Sequence, residues 1–177
     1  MKSLVISASL NPDSRSRIMA RHVFEALPAA ERKFLDLRDY PLPLCDGGAA
    51  YGAANVKEVR KLIAEADLLI VGFPVYNFSY SAALKNLVEL TGKAWENKVV
   101  GFVSAAGGKS SYMSVMSIAN ALMLDFRCLV VPRFVYCDGD AFAGDELKDE
   151  AVARRLQELA GAASLLAETQ SKFNRVL

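Results

Sequence analysis

Residues 1–17 read MKSLVISASLNPDSRSR, and the fold turns on this stretch. Leu4, Val5 and Ile6 form a short apolar run of the kind that makes a buried strand. The run stops abruptly in four serines, Ser7, Ser9, Ser14 and Ser16, set among Asn11, Asp13, Arg15 and Arg17. An amphipathic stretch begins near Ile18. A buried strand that empties into a hydroxyl-rich loop at a helix start makes an anion pocket. The helix start offers unpaired N–H groups and the positive end of its dipole. The serines add short neutral donors and Arg15 adds charge, a set that suits a phosphate group.

Beyond this stretch, strand and helix patterns alternate. Apolar runs predict strands over 2–7, 33–37, 68–73, 99–104 and 128–131, the last continuing toward 136. Helical spacing predicts helices over 15–27, 53–66, 80–92, 111–124 and 146–172. Pro28 ends the first helix, and Pro74 is expected to end the third strand. A Pro- and Gly-rich excursion passes through Pro41, Pro43, Gly47 and Gly48. The acidic segment 138–150 reads as a solvated loop and helix cap. Near-continuous apolar strands alternating with amphipathic helices indicate a parallel sheet covered on both faces. The pattern predicts an α/β fold: a flavodoxin-like doubly wound five-stranded sheet, order 2-1-3-4-5, as one domain over 1–177.

With 177 residues, 53% hydrophobic and 23% charged, the chain can bury a proper core. A net charge of +1 gives no electrostatic case for a nucleic acid or membrane partner. No apolar run approaches the roughly 20 residues that span a bilayer. The N-terminal pattern is not a signal peptide, so a cytoplasmic location is expected. Cys45, Cys128 and Cys137 match no zinc or redox spacing and read as core residues. His22 is the only histidine and is assigned to the first helix's surface or rim. A lone histidine speaks against a His-based metal site and a Ser–His hydrolase, and G-x-S-x-G is absent. No metal is expected.

In such a sheet, ligands sit beyond the carboxyl ends of the strands, at the switch point of strand order. The loops after strands one, three and four should therefore converge. The second of them begins at Phe73 and reads FPVYNFSYSAALKN. Pro74 stiffens the exit, Val75, Tyr76 and Asn77 form a short crest, and Ser79 or Ser81 is the N-cap of the next helix. A crest with exposed backbone donors and one aromatic suits a flat heteroaromatic ligand. The third loop, from Ser104, reads SAAGGKSSY, and Gly107 and Gly108 allow close backbone approach. There is no G-x-G-x-x-G after strand one, no Walker loop and no acidic receiver pocket. A small phosphorylated ligand with an aromatic ring system remains, and flavin mononucleotide (FMN) fits that description.

SASLNPDSRSR (7–17), PVYNFSYSAALKN (74–86) and SAAGGK (104–109) together resemble the NAD(P)H-dependent FMN reductase family. This is the flavodoxin-like group that includes small quinone, azo-dye and chromate reductases. The resemblance implies that Ser9, Ser14, Arg15 and Ser16 hold the FMN phosphate. It places Pro74, Val75, Tyr76 and Asn77 against the ribityl chain and ring. Ser104, Ala106, Gly107 and Gly108 would border the isoalloxazine, with backbone N–H groups near its polar edge. The chemistry then occurs on the flavin and needs no catalytic side chain. NADPH or NADH is the implied co-substrate, and a quinone, azo or nitro compound, metal oxyanion or free flavin the acceptor. The resemblance also implies a homodimer or homotetramer, with Phe78 and Tyr80 as exposed apolar residues near the interface. Residues 10–13 stand where many members carry a basic residue, which leaves the phosphate to Arg15 alone. A flavodoxin-type electron carrier is the alternative. Flavodoxins resemble T-x-T-G-x-T in the first loop and are strongly acidic, unlike this chain with its pI near 7.7.

Overall fold

The computed structural model describes residues 1–28 and 31–173. Its strands are β1 (Lys2–Ser7), β2 (Glu31–Asp36), β3 (Leu68–Tyr76), β4 (Val99–Ala105), β5 (Leu129–Val130) and β6 (Val135–Cys137). Its α-helices are α1 (Arg15–Ala26), α2 (Ala54–Glu65), α3 (Ala82–Thr91), α4 (Met116–Phe126) and α5 (Glu150–Phe173). The sheet runs β2-β1-β3-β4-β5, every pair parallel, with β6 also on β4 beyond β5. This is the predicted flavodoxin-like order.

Alternating side chains divide the core between the two faces of the sheet. Leu4, Ile6, Leu69, Val71 and Phe73 pack with α2, α3 and α4 on one face. Val5, Leu68 and Ile70 pack with Met19, Ala20 and Val23 of α1 and with Leu156, Leu159 and Ala163 of α5 on the other. Each fully buried aliphatic side chain contributes about 1.5–3 kcal/mol. The apolar runs read from the sequence are therefore strands because both of their faces are covered.

The structure departs from the sequence reading in four places. First, Pro74 does not end β3, which continues through Tyr76. β1 stops pairing at Ser7–Gly72, and Gly72 points its carbonyl to Ala8 on that side. Two residues on, Pro74 faces the same side, where no strand asks it for an N–H. Second, β3 turns back at once into the short antiparallel strand Ser79–Tyr80. Asn77 and Phe78 form the turn with φ of 49° and 61°, the pattern of a two-residue hairpin turn that matches strand twist. Tyr80 packs against the core, whereas Phe78 is 71% exposed. Third, the fifth strand is split: Pro132 interrupts it and leaves β5 and β6 as separate segments. The fourth helix likewise begins as a 3-10 turn, Lys109–Val115, before α4. Fourth, residues 138–150 hold a small hairpin, Phe142–Ala143 against Glu146–Leu147, as well as the expected helix cap. Asp149 supplies that cap, its Oδ1 accepting from Ala151 N–H (2.8 Å) and Val152 N–H (3.1 Å).

The position of α1 depends on Gly72. A Cβ there would lie 2.9 Å from the Ser16 carbonyl oxygen and 2.9 Å from Ala20 Cβ. Only a residue without a side chain lets the first turn of α1 rest on β3. Gly72→Ala should lower stability by about 1–3 kcal/mol through overpacking, read as a lower urea midpoint with unchanged slope. A midpoint at or above that of the wild type would contradict this account of the contact.

Candidate functional site

The loops after β1, β3 and β4 meet in a cleft of about 430 Å³ at the carboxyl edge of the sheet. Its first wall is the serine loop. Ser14 is the N-cap of α1, its Oγ accepting from Arg17 N–H (3.2 Å). The first helical bond of α1 runs from Ile18 N–H to the Ser14 carbonyl (3.2 Å). The N–H groups of Arg15 and Ser16 lie before it and have no intrahelical acceptor. Ser14 Oγ and Ser16 Oγ lie 3.1 Å apart, and Ser9 Oγ accepts from Asn11 N–H (3.3 Å). All three serines are buried. Two N–H groups at a positive helix end and three buried hydroxyls form a set of anion donors.

Arg15 also lines the cleft, and its guanidinium is steered from outside it. The group stands over the Phe142 ring, 5.7 Å from the centroid. A Cβ at Gly139 would come within 2.6 Å of Arg15 Nη1, so the glycine makes room for it. Arg17 points elsewhere, with Nη2 donating to the Pro12 carbonyl (3.2 Å) and Nη1 lying 3.8 Å from Asp36 Oδ2.

The second wall is the end of β3, with Pro74, Val75 and Tyr76 on the cleft. It is braced against the first wall: Ser81, the N-cap of α3, donates from Oγ to the Ala8 carbonyl (3.3 Å) and accepts from Leu84 N–H (3.3 Å). The third wall is Ala105, Ala106 and Gly107. Ala106 N–H donates to the Cys137 carbonyl (3.0 Å), and Tyr136 Oη donates to the Gly108 carbonyl. These two bonds hold the Gly107–Gly108 backbone in place. The N–H groups of Gly107 and Gly108 make no hydrogen bond among the described residues.

Of the twelve residues singled out from the sequence, the structure brings nine to the cleft: Ser9, Ser14, Arg15, Ser16, Pro74, Val75, Tyr76, Ala106 and Gly107. Three lie off its lining. Asn77 sits in the hairpin turn, Ser104 is fully buried beneath the third wall, and Gly108 is exposed beyond it. Five cleft residues were missed: Asn11, Asp13, Ala105, Gly144 and Asp145. Asn11 and Asp13 were visible in the serine loop, but turn residues are so common there that nothing marked them. Gly144 and Asp145 form the turn of the small hairpin, and nothing local in an acidic segment signals that it folds over the first loop.

The remaining reactive groups stand outside this chemistry. Burial pushes the Cys128 thiol up to about 11 and the Cys137 thiol up to about 12, so neither is a nucleophile at neutral pH. Lys109 lies 3.9 Å from both Asp138 and Asp140, and Arg133 bonds Glu158 at 2.8 Å. No group of three or more metal-ligating side chains occurs among the described residues.

Asp36, at the carboxyl end of β2, ties Arg38 (Nη2 to Oδ2, 2.6 Å) and Arg17 to the same edge. Burial raises its pKa, but the hydrogen bonds from the Arg38 side chain and N–H, with the two positive charges, hold it below the usual aspartate value. A carboxyl lowered on folding stabilises the fold above its ordinary pKa and loses that contribution as pH falls through the lowered value. Asp36→Asn should therefore be less stable than wild type near neutrality, and the gap should close below about pH 4. Urea midpoints measured down the pH range check this; a gap independent of pH would contradict it.

Comparison with known proteins gives a consistent picture. The NADPH-dependent FMN reductase family matches residues 1–142. The NAD(P)H-dependent FAD/FMN reductase of Geobacillus thermodenitrificans is 32% identical over 167 residues, covering 90% of each chain. The FMN-dependent NADPH-azoreductase of Staphylococcus aureus is 28% identical over 154 residues, covering 82% of this chain and 81% of that one. In fold, the flavoenzyme NAD(P)H:(acceptor) oxidoreductase of Paracoccus denitrificans superimposes with a TM-score of 0.77 at 22% identity. It covers 96% of this chain and 99% of that one.

Proposed function

The chain belongs to the NADPH-dependent FMN reductase family, and we propose that its cleft is the FMN site. It is an NAD(P)H-dependent oxidoreductase of that family. When bound, FMN supplies the ring that takes electrons from NAD(P)H and passes them to a second substrate. The residues of the chain hold and orient the cofactor. The observation that carries the assignment is the convergence of buried serine hydroxyls and free α1 N–H groups with the Gly107–Gly108 backbone in one cleft. A volume of about 430 Å³ lies within the range of small-molecule sites.

In this reading Ser9, Ser14 and Ser16 and the N–H groups of Arg15 and Ser16 hold the phosphate, with Arg15 adding charge. Pro74, Val75 and Tyr76 flank the ribityl chain and ring, with Asn77 shaping the crest behind them. The free N–H groups of Gly107 and Gly108 serve the polar edge of the ring, and Ser104 packs beneath. Donors fixed in advance stabilise charge that develops there without reorganising. No side chain is needed as acid or base. The whole chain acts as one FMN-binding domain, and the proposed setting is the cytoplasm, where its three free cysteines remain reduced. The proposed acceptors are flat oxidants such as a quinone, an azo or nitro compound or free flavin, or a metal oxyanion, because an open cleft sets few demands on them.

The proposal includes self-association as a homodimer or homotetramer. It is supported by Tyr76 and Phe78 at the hairpin, and by Met113, Met116, Met123 and Leu124 along the 3-10 turn and α4, all exposed. An apolar surface of this kind favours a partner over water. Light scattering should give a mass that is a multiple of 19.2 kDa; a monomer at micromolar concentration would refute this part.

The functional assignment predicts that protein loaded with FMN is yellow and bleaches when NADPH or NADH is added without oxygen. Protein that takes up no flavin, or holds a flavin indifferent to both nucleotides, would overturn it. Arg15→Ala should weaken FMN roughly tenfold by removing a charged contact to the phosphate, and leave riboflavin nearly unaffected. Equal losses for both flavins would remove Arg15 from the phosphate site.

A further inference from the structure

The charges around the serine loop are unusual for a phosphate site. Arg15 is the one cationic side chain lining the cleft among the described residues, and two carboxylates, Asp13 and Asp145, line it as well. Asp13 belongs to the loop itself, its N–H donating to Asn11 Oδ1 (2.9 Å). Asp145 comes from a distant part of the chain, in the turn of the hairpin Phe142–Ala143/Glu146–Leu147, whose Phe142 also carries the Arg15 guanidinium. Neither carboxylate has a salt-bridge partner among the described residues.

The nearby cations are engaged elsewhere. Arg17 is held by Asp36 and the Pro12 carbonyl. Arg21 stacks on Phe34, 3.5 Å from the ring centroid. Arg17, Arg21, His22 and Glu25 line the groove on the outer side of the loop, which shares Asp13, Ser14 and Asp145 with the cleft. The carboxylates thus stand between the cleft and that groove. A phosphate carrying close to two negative charges at neutral pH meets one positive and two negative side chains at the cleft rim.

We infer that Asp13 and Asp145 set how strongly this chain distinguishes FMN from unphosphorylated flavin: they weaken its hold on the phosphate, so that riboflavin competes as a ligand. The inference rests on the FMN reading of the cleft. Its physical content is selective repulsion. The serine hydroxyls and α1 N–H groups fix where the phosphate sits, while the two carboxylates subtract from its affinity and leave the ring contacts untouched. The hairpin is then a selectivity element, because it brings Asp145 to the site and holds Arg15 against Phe142.

The test is fluorescence titration of FMN and riboflavin against wild type, Asp13→Asn, Asp145→Asn and the charge-conserving Asp145→Glu. Both side chains are exposed, so the variants should fold as the wild type does. Each asparagine variant should bind FMN roughly two- to five-fold more tightly, the size expected of an exposed charge pair. Riboflavin affinity should not move, and Asp145→Glu should match the wild type. The gain should shrink as salt rises, since exposed charges are screened. Unchanged or weaker FMN binding in both asparagine variants, equal tightening of both flavins, or a gain insensitive to salt would each overturn the inference. A wild type that binds neither flavin would instead overturn the FMN reading itself.

Discussion

The constraint on which the site depends is the contact of α1 with β3 at Gly72. The Ser16 carbonyl occupies the space where a side chain would begin. This fixes the first turn of α1 directly over the carboxyl end of the central strand. The free N–H groups of Arg15 and Ser16 are brought to the sheet edge as a consequence. Ser14 caps the turn, Ser81 ties α3 back to the exit of β1, and Asp36 ties Arg17 to β2. The cleft is therefore a product of packing beneath it. Its donors need no rearrangement to meet an anion, which is the condition under which fixed dipoles are most effective.

The layered fold was legible because its strands are covered on both faces. Runs such as 68–73 and 99–104 have no polar residue to place in water until the sheet edge. The serine loop was legible because serines before an amphipathic stretch can serve only a few purposes. Elements decided by distant contacts were not legible. Pro74 is a strand terminator by its own chemistry, yet it sits in β3 because β1 has already ended on the side it faces. Pro132, by contrast, lies in the break between β5 and β6. Residues 142–147 look like solvated polypeptide. Their role as a wall of the cleft comes from Arg15 lying against Phe142 and Gly139, a contact between residues more than a hundred positions apart.

The same distinction holds within the cleft. Residues that act through backbone geometry or short hydroxyls at element ends could be anticipated, because capping and dipole rules locate them. Ser104 was anticipated but is fully buried, since it lies within β4, which is covered on both faces. Asp145 could not be anticipated, since its place depends on how a hairpin docks. The site emerges as one that relies on neutral donors and a single cationic side chain. Outside it, burial holds the Cys128 and Cys137 thiols well above the usual thiol pKa, and Lys109 and Arg133 are paired. Such a site binds and orients, and leaves the electron chemistry to its ligand.

The central claim is that free N–H groups of α1 and of the third loop converge on one bound flavin. Amide hydrogen exchange followed by nuclear magnetic resonance tests it most directly, in the presence and absence of FMN. The account predicts that the amides of Arg15, Ser16, Gly107 and Gly108 slow together when FMN is added, while riboflavin slows the two glycine amides and spares Arg15 and Ser16. Flavin binding that leaves all four amides unchanged, or that protects a different edge of the sheet, would contradict it.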